Sequence, residues 1–388
     1  MNIAVLFPGQ GAAVPKELIQ LWTDNEQAKK VILQAEKILG EPIYSWFTED
    51  LSQDTWKAQI TTYISGLCMY QLYKEEIGLY PQAAMGHSLG ELTALTVAGI
   101  VDFENGLRLV DIRGKSMKKD IEKQTDQGMM AIFRSREEIE PLVKEESEIF
   151  IANTNANKQT VISGSKTAIR NFVKKHHLDG VLLNVSGAFH TEYMKAAAEE
   201  VKNQIQQMSF SSSSSMHVIS NRTAQFYTTE KVVSEIVEQI ISPVKWLESI
   251  KYAEQTGTQC FIDLSPAGMF VKMLKNEAPI YALEPGKTNT AIEAELKEEV
   301  QVNRNYDLFS RALGIIVSTK NNGTDPDTYE NIVVSGYNQI KANIGKEVTE
   351  ANVKDTLDLL DLILRSKKVP VEEIDAYKTK LSWEAAIS

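Results

Sequence analysis

Apolar and polar residues follow two kinds of pattern in the first part of the chain. Short apolar runs, of the kind that form buried parallel strands, occur at residues 2–7 and 260–265. Helical periodicity of apolar positions covers residues 26–40 and 54–79. Strand-type runs followed by helical stretches predict an α/β fold with a parallel sheet.

Between residues 119 and 186 the pattern changes to short elements in the order βαββαβ. The elements predicted there are a strand at 129–133, a helix at 135–146, strands at 148–153 and 159–164, a helix at 165–177 and a strand at 180–186. This order is typical of a ferredoxin-like unit, which we expect as a small domain inserted in a larger one. The large domain then comprises residues 1–118 and 187–286.

The end of the chain is predicted to be helical. A strand at 217–221, a helix at 229–241 and a strand at 280–286 complete the α/β part, and the charged, weakly apolar residues 287–302 predict a linker. Helices are predicted at 303–319, 326–344, 349–367 and 371–384. Residues 303–388 are therefore expected to form a C-terminal helical extension.

Composition excludes several classes of protein. The chain has 388 residues and a net charge of −11, which argues against nucleic acid as a partner because phosphate binding needs a basic face. No apolar run approaches the ~20 residues that span a bilayer, and no signal peptide is predicted at the start. The two cysteines, Cys68 and Cys260, have no metal-like spacing, so we expect buried thiols in a cytoplasmic protein.

The segment Gly86-His87-Ser88-Leu89-Gly90 is a GxSxG sequence between a predicted strand and a predicted helix. In this context the glycines permit a sharp turn that exposes the serine Oγ, and the following helix N-terminus can receive negative charge. The pentapeptide alone is weak evidence, because a tight turn with an incidental serine has the same sequence. With its flanking elements it predicts a nucleophile at Ser88.

A nucleophilic serine needs a general base, and the chain has five histidines. His176 and His177 end a charged helix, which predicts solvated side chains, and His217 begins an apolar strand, which predicts a structural role. His87 lies inside the turn and is expected to point away from Ser88. His190 remains, but sequence spacing does not bring it near Ser88.

Several motifs, in order along residues 1–285, resemble those of the malonyl-CoA:acyl-carrier-protein transacylases of fatty-acid and polyketide synthesis. The matching segments are FPGQG at 7–11, GHSLGE at 86–91, QTVISG at 159–164, GAFH at 187–190 and PVKW at 243–246. The resemblance implies a hydrolase-like parallel-sheet large domain that carries the inserted ferredoxin-like domain. The helical extension resembles that of stand-alone acyltransferases that serve polyketide or lipopeptide synthases.

The resemblance also implies roles for individual residues. Ser88 would be the nucleophile and His190 its general base, oriented by the backbone carbonyl of Gln239. The backbone N–H groups of Gln10 and Leu89 would form the oxyanion hole.

Two further residues are expected to select the acyl group. Arg113 stands where malonyl-selective members place an arginine, and a guanidinium holds a carboxylate by two parallel hydrogen bonds. Without the resemblance, a solvated helix arginine is the favoured interpretation. Phe189 matches a phenylalanine that would exclude an α-methyl branch. The family's TQPA-like stretch is read as residues 60–63, ITTY, so a pocket glutamine is expected to be missing.

The implied reaction is a ping-pong transfer of malonyl from malonyl-CoA to an acyl carrier protein, with no cofactor. The alternatives are a proofreading acyl hydrolase on the same fold, or a catalytically silent protein that docks on a synthase. Lysines 115, 118, 119 and 123 follow Arg113 and are either a docking patch for an acidic carrier or an ordinary solvated helix face.

Overall fold

The structure is a computed structural model, and it describes all residues except 12, 13, 212, 213, 215, 276 and 386–388. The last three residues of the predicted helical extension therefore lie outside the described part. The chain divides into two compact units. The larger consists of Met1–Tyr73 and Pro81–Ile292, and the smaller of Lys74–Tyr80 and Glu293–Ser388.

The larger unit contains all the described strands and most of the helices. Its strands are β1 (Ile3–Phe7), β2 (Ala83–Gly86), β3 (Gln127–Ile132), β4 (Ile149–Ala156), β5 (Gln159–Ser165), β6 (Gly180–Leu182), β7 (His217–Val218), β8 (Cys260–Asp263) and β9 (Ile280–Ala282). Its helices are α1 (Lys16–Asp24), α2 (Glu26–Leu39), α3 (Ile43–Trp46), α4 (Thr55–Glu76, which runs on into the smaller unit), α5 (Gly90–Val97), α6 (Phe103–Glu122), α7 (Arg136–Val143), α8 (Lys166–Lys175), α9 (Lys195–Ile205), α10 (Val232–Gln239), α11 (Trp246–Gln255) and α12 (Met269–Met273).

A parallel sheet with the strand order β7-β2-β1-β8-β9 forms the centre of the large domain. Strand β1 lies in its middle and is buried throughout, as its uninterrupted apolar sequence requires. Its end pairs with the end of β2, Phe7 opposite Gly86. Because these strands end together, the loops that carry Gln10 and Ser88 leave the same edge of the sheet. Ligands of open parallel sheets bind at this edge.

The inserted domain is an antiparallel sheet with the order β4-β5-β3-β6, as the predicted βαββαβ pattern indicated. Its core lies between this sheet and helices α7 and α8, and includes Ile132, Ile162 and Phe172. The predicted strand at 180–186 is wrong beyond Leu182. There the chain leaves the sheet in a turn, in which the Val185 N–H donates to the Leu183 carbonyl at 3.0 Å.

Backbone hydrogen bonds join the inserted sheet to the large domain. The N–H of Val244 donates to the Ala152 carbonyl at 2.8 Å, and the N–H of Thr154 donates to the Val244 carbonyl at 2.9 Å. Strand β4 is thereby held next to the loop that follows α10. The inserted domain is fixed against the segment that, as described below, orients a histidine.

The strand predicted at 217–221 is shorter than expected. Strand β7 ends at Val218, because Ile219 turns away from the sheet and forms an isolated bridge with Phe226. The residues that follow, Ser220 and Asn221, are buried, and their side chains bind groups around the Ser88 turn or helix α10.

The smaller unit is helical. After α13 (Thr290–Glu295), which begins in the larger unit, come α14 (Lys297–Asn305), α15 (Leu308–Ser318), α16 (Pro326–Thr328) with a π-helical continuation (Tyr329–Val334), α17 (Ser335–Lys341), α18 (Glu350–Ser366) and α19 (Val371–Glu384). The expected linker at 287–302 is therefore wrong, since most of it is helix. Three of its apolar residues, Ile292, Leu296 and Val300, recur every four positions and are buried. In the described part of the chain, no helix is long and apolar enough to cross a membrane.

Candidate active site

Ser88 lies in a strained turn between β2 and α5. Its φ is 52°, a left-handed conformation that costs a residue with a side chain roughly 1–2 kcal/mol. The glycines on either side are required by close packing. A Cβ on Gly86 would lie 1.8 Å from the backbone carbon of Gly90, and a Cβ on Gly90 would lie 2.2 Å from the Phe7 carbonyl oxygen. The GxSxG sequence thus folds as the sharp elbow that it predicts.

His190 contacts Ser88 from the segment that returns from the inserted domain. Its Nε2 lies 2.8 Å from Ser88 Oγ, and its Nδ1 lies 3.0 Å from the backbone carbonyl oxygen of Gln239 at the end of α10. A carbonyl only accepts, so Nδ1–H donates to it and the Nε2 lone pair faces the serine hydroxyl. Burial and the nearby Arg113 cation lower the pKa of His190 to about 3. The imidazole is therefore neutral and available as a base.

The other histidines have different surroundings. His87 points away from Ser88, and its Nε2 lies 2.9 Å from Asn155 Oδ1 on β4. His217 stacks on Phe226 with 4.5 Å between ring centroids. His176 and His177 follow the end of α8. Of the five histidines, His190 is the one that the fold brings to the serine.

Arg113 is a buried cation beside this pair. It is 2% exposed on α6, and burial lowers the pKa of its guanidinium to about 10, so it remains charged at neutral pH. Nη1 donates to Gln59 Oε1 at 2.5 Å and Nη2 donates to Gln239 Oε1 at 3.2 Å, whereas Nε has no partner among the described residues. Arg108, on the same helix, is exposed and pairs with Glu104 at 2.8 Å.

Gln239 connects the three groups. Its backbone carbonyl holds His190, its side-chain oxygen accepts from Arg113, and its Nε2 donates to the Ser88 carbonyl at 2.7 Å. The same Nε2 donates to Glu91 Oε2 at 2.9 Å. Ser88, His190 and Arg113 therefore surround one glutamine, for which the family resemblance implied a role of the backbone carbonyl alone.

Three site residues were missed from sequence. The expectation that the pocket glutamine is missing was wrong, because Gln59, one position before the ITTY stretch, reaches Arg113. Glu91 belongs to the GHSLGE motif, which was the signal for it, and is 1% exposed. Asn221 accepts the Ser88 N–H at 2.7 Å and donates to the Gly86 carbonyl at 2.6 Å. No local pattern pointed to Asn221.

The two predicted oxyanion donors belong to segments next to the serine. Leu89 follows Ser88, and Gln10 follows Gly9, where an added Cβ would lie 3.6 Å from Ser88 Cβ. The N–H of Ser88 itself is engaged by Asn221. The side chain of Gln10 is fixed by Thr55, whose Oγ1 donates to Gln10 Oε1 at 2.9 Å.

A cavity of about 450 Å³ opens beside Gln10. Its lining comprises Pro8, Gln10, Gly11, Val14, Lys16, Ile19, residues 46–52, Ala58, Thr61, Thr62, Ser65, Asn184, Val185 and Pro266. This is within the range of volumes typical of small-molecule sites. Phe189 is buried next to Gly187, where an added Cβ would come within 3.0 Å of the phenyl ring. Its predicted effect on acyl selectivity stays a prediction.

The lysines that follow Arg113 on α6 and just after it are paired with carboxylates. The pairs are Lys115 with Asp111 at 2.8 Å, Lys118 with Asp54 at 2.9 Å, Lys119 with Glu200 at 3.1 Å and Lys123 with Asp120 at 3.8 Å. This face is balanced in charge, which agrees with a solvated helix face rather than a basic docking patch.

Comparison with known proteins gives matches over most of the chain. Residues 6–301 match the sequence family of the acyl transferase domain. A malonyl CoA-acyl carrier protein transacylase of Bacillus subtilis is 29% identical over 96% of this chain and 98% of its own length, so the match extends well into the helical extension. The polyketide biosynthesis malonyl CoA-acyl carrier protein transacylase PksC of Bacillus subtilis (strain 168) is 34% identical over 70% of this chain and 96% of its own.

Solved structures of malonyl transacylases are also similar to this chain. A malonyl-transacylase in complex with a type II PKS acyl-carrier protein is 25% identical with a TM-score of 0.68, covering 76% of this chain and 99% of that one.

Proposed function

This chain belongs to the acyl transferase domain family, and from that premise we propose that it transfers a malonyl group from malonyl-CoA to the phosphopantetheine thiol of an acyl carrier protein. Ser88 is the nucleophile and His190 the general base in this proposal. The Ser88–His190 contact of 2.8 Å and the neutral state of the imidazole support these roles.

The reaction proceeds in two half-reactions. His190 Nε2 takes the Ser88 proton, Oγ attacks the thioester carbonyl, and the C–S bond breaks as coenzyme A leaves with the proton from His190. The carrier thiol then gives its proton to His190 and attacks the malonyl-serine ester. The bond between the acyl carbon and Oγ breaks, and Ser88 regains its proton. Nucleophile and base come from the chain itself, so the proposal includes no cofactor.

The buried charge of Arg113 is the observation that carries the substrate assignment. An isolated cation in the interior costs several kcal/mol, and this one is hydrogen-bonded only to neutral amides in the described part of the chain. The buried Glu91 carboxyl acts on this cation only from beyond Gln239, whereas a malonyl carboxylate, which an acetyl group lacks, would contact it directly. The unpartnered Nε leaves a donor for that carboxylate.

The developing oxyanion is stabilised by the backbone N–H groups of Gln10 and Leu89. The family resemblance assigns these two donors, and the Ser88 N–H is already engaged by Asn221. We assign the cavity beside Gln10 to the pantetheine arm that the acyl donor and the acyl acceptor share. Cys68 and Cys260 are buried and form no disulfide in the described part of the chain, in accord with a cytoplasmic location.

Intact-mass analysis after mixing with malonyl-CoA or acetyl-CoA tests the proposal. We expect a malonyl adduct on the wild type, loss of this adduct in Ser88→Ala, and transfer of the adduct when a carrier protein with a phosphopantetheine arm is added. The absence of a malonyl adduct would refute the proposal. Hydrolysis of an acetyl-carrier faster than malonyl transfer would identify a proofreading hydrolase instead.

A further inference from the structure

Glu91 is a buried carboxylate that the proposed reaction does not use. It lies three residues after Ser88 and is 1% exposed. Its Oε2 accepts from Gln239 Nε2 at 2.9 Å and from the Asn221 N–H at 3.2 Å, and its Oε1 accepts from the Tyr227 hydroxyl. Every one of these contacts comes from a donor. Burial raises the pKa of Glu91 to about 7, but Oε2 faces two N–H groups and therefore accepts hydrogen bonds whether or not Oε1 carries a proton.

The contacts of Glu91 determine which way the Gln239 amide points. An amide has one accepting oxygen and one NH₂ group with two protons. The Gln239 NH₂ donates to the Ser88 carbonyl oxygen and to Glu91 Oε2, and both of these oxygens accept. Its oxygen is consequently left to face Nη2 of Arg113. The reversed amide would place a donor against the guanidinium and an oxygen against two acceptors.

We propose that Glu91 is a positioning residue for acyl selectivity, which fixes the Gln239 amide so that its oxygen holds the Arg113 guanidinium in place for the acyl carboxylate. The inference rests on the proposed function and deepens it. Glu91 contacts neither the nucleophile's Oγ nor the base, so its effect reaches the substrate only through Gln239 and Arg113. The Nε of Arg113 has no partner among the described residues, so the guanidinium is held in place while it still has a donor available.

With a neutral amide at position 91, the Gln239 NH₂ group is no longer required to face that position. Glutamine can donate as well as accept, so in Glu91→Gln the Gln239 amide is free to reverse. Arg113 then loses one of its two side-chain anchors, while Gln59 remains. The charged and titratable groups around Glu91 are Arg113, Tyr227 and Glu235, and the substitution changes the hydrogen-bond polarity of the network as well as its charge.

Glu235→Gln is the matched control. Glu235 is also buried, at 3% exposed, and lies on α10 with Gln239. Its carboxylate binds Arg222 and the Ser220 hydroxyl rather than the Gln239 side chain. The control therefore makes the same substitution at a neighbouring buried glutamate that does not contact the Gln239 side chain.

The test measures Ser88 loading rates for malonyl-CoA and acetyl-CoA, together with labelling of Ser88 by an uncharged fluorophosphonate. In Glu91→Gln we expect the malonyl rate to fall at least tenfold more than the acetyl rate, with Ser88 still labelled. Glu235→Gln should keep the wild-type ratio of the two rates. Gln239→Met keeps the backbone carbonyl that orients His190 and should lower the ratio of the malonyl to the acetyl loading rate in the same way. This variant tests the inference if Glu91→Gln does not fold.

An unchanged ratio in Glu91→Gln and Gln239→Met, with a wild type that prefers malonyl, overturns this inference and leaves the proposed function standing. Equal loss of both acyl groups together with loss of labelling also overturns it, since that is the mark of a structural role. A wild type that takes no malonyl overturns the proposed function and this inference together.

Discussion

Replacing Arg113 by alanine should remove the preference for malonyl over acetyl. Two of the five N–H donors of the guanidinium are given to Gln59 and Gln239, which leaves enough for a bidentate carboxylate contact. A hydrogen bond that involves a charged group contributes about 1.5–3 kcal/mol. Two such bonds are lost, so the barrier for malonyl loading should rise by about 3–6 kcal/mol, a fall in kcat/KM on the order of 10²–10⁴-fold.

The assay is single-turnover loading of Ser88, quenched and followed by intact mass, with malonyl-CoA and acetyl-CoA in parallel. Arg113→Ala should load acetyl at least as well as the wild type, because an acetyl group leaves the guanidinium without an anion. Arg108→Ala is the control, since Arg108 is exposed on the same helix and pairs only with Glu104 among the described residues. It should load both acyl groups like the wild type.

A second signature separates loss of recognition from general damage. The Arg113 cation helps to lower the pKa of His190, so its removal should raise that pKa and move the acid limb of acetyl loading to higher pH. Equal loss of malonyl and acetyl loading in Arg113→Ala, or no loss of either, would show that the guanidinium does not bind the substrate carboxylate.

Two other predictions concern the elbow and the base. In Gly90→Ala the new Cβ would lie 2.2 Å from the Phe7 carbonyl oxygen, so we expect the free energy of unfolding, measured by urea titration, to fall by about 4 kcal/mol or more. The control is Gly314→Ala, which should be no less stable than the wild type because nothing lies within 4 Å of the added Cβ. A Gly90→Ala variant as stable as the wild type would contradict the close packing. Because the pKa of His190 lies at about 3, its basic form persists well below pH 6.5, so acetyl loading should stay level from pH 8 to about pH 5. Burial raises the pKa of Glu91 to about 7, so a midpoint near 6.5 that persists in Glu91→Gln would contradict the effect of burial on the imidazole.

The parts of the site that depend on local structure could be predicted from the sequence. The elbow could be predicted because two glycines, a strand and a helix lie within a few residues of Ser88. The ferredoxin-like insertion could be predicted because its elements follow one another in chain order. Family motifs then pointed to His190 and Arg113, although spacing alone brought neither to Ser88.

The rest depends on contacts between distant segments. Gln59 and Asn221 reach the site from α4 and from the segment after β7, and neither carries a local pattern that marks it. Residues 287–302 were misread for a different reason. A charged segment needs only one apolar residue per helical turn to bury a face, and Ile292, Leu296 and Val300 supply that minimum.

At Ser88 and His190 the backbone is left-handed, so the two functional residues lower the stability of the fold. Both have positive φ, 52° and 61°, a region that glycine and asparagine enter more readily than serine or histidine. The two residues thus occupy positions where the backbone itself would favour others. In a lineage released from selection for activity, these positions should drift first towards glycine or asparagine, and the silent descendants should resist heat better than their working ancestor.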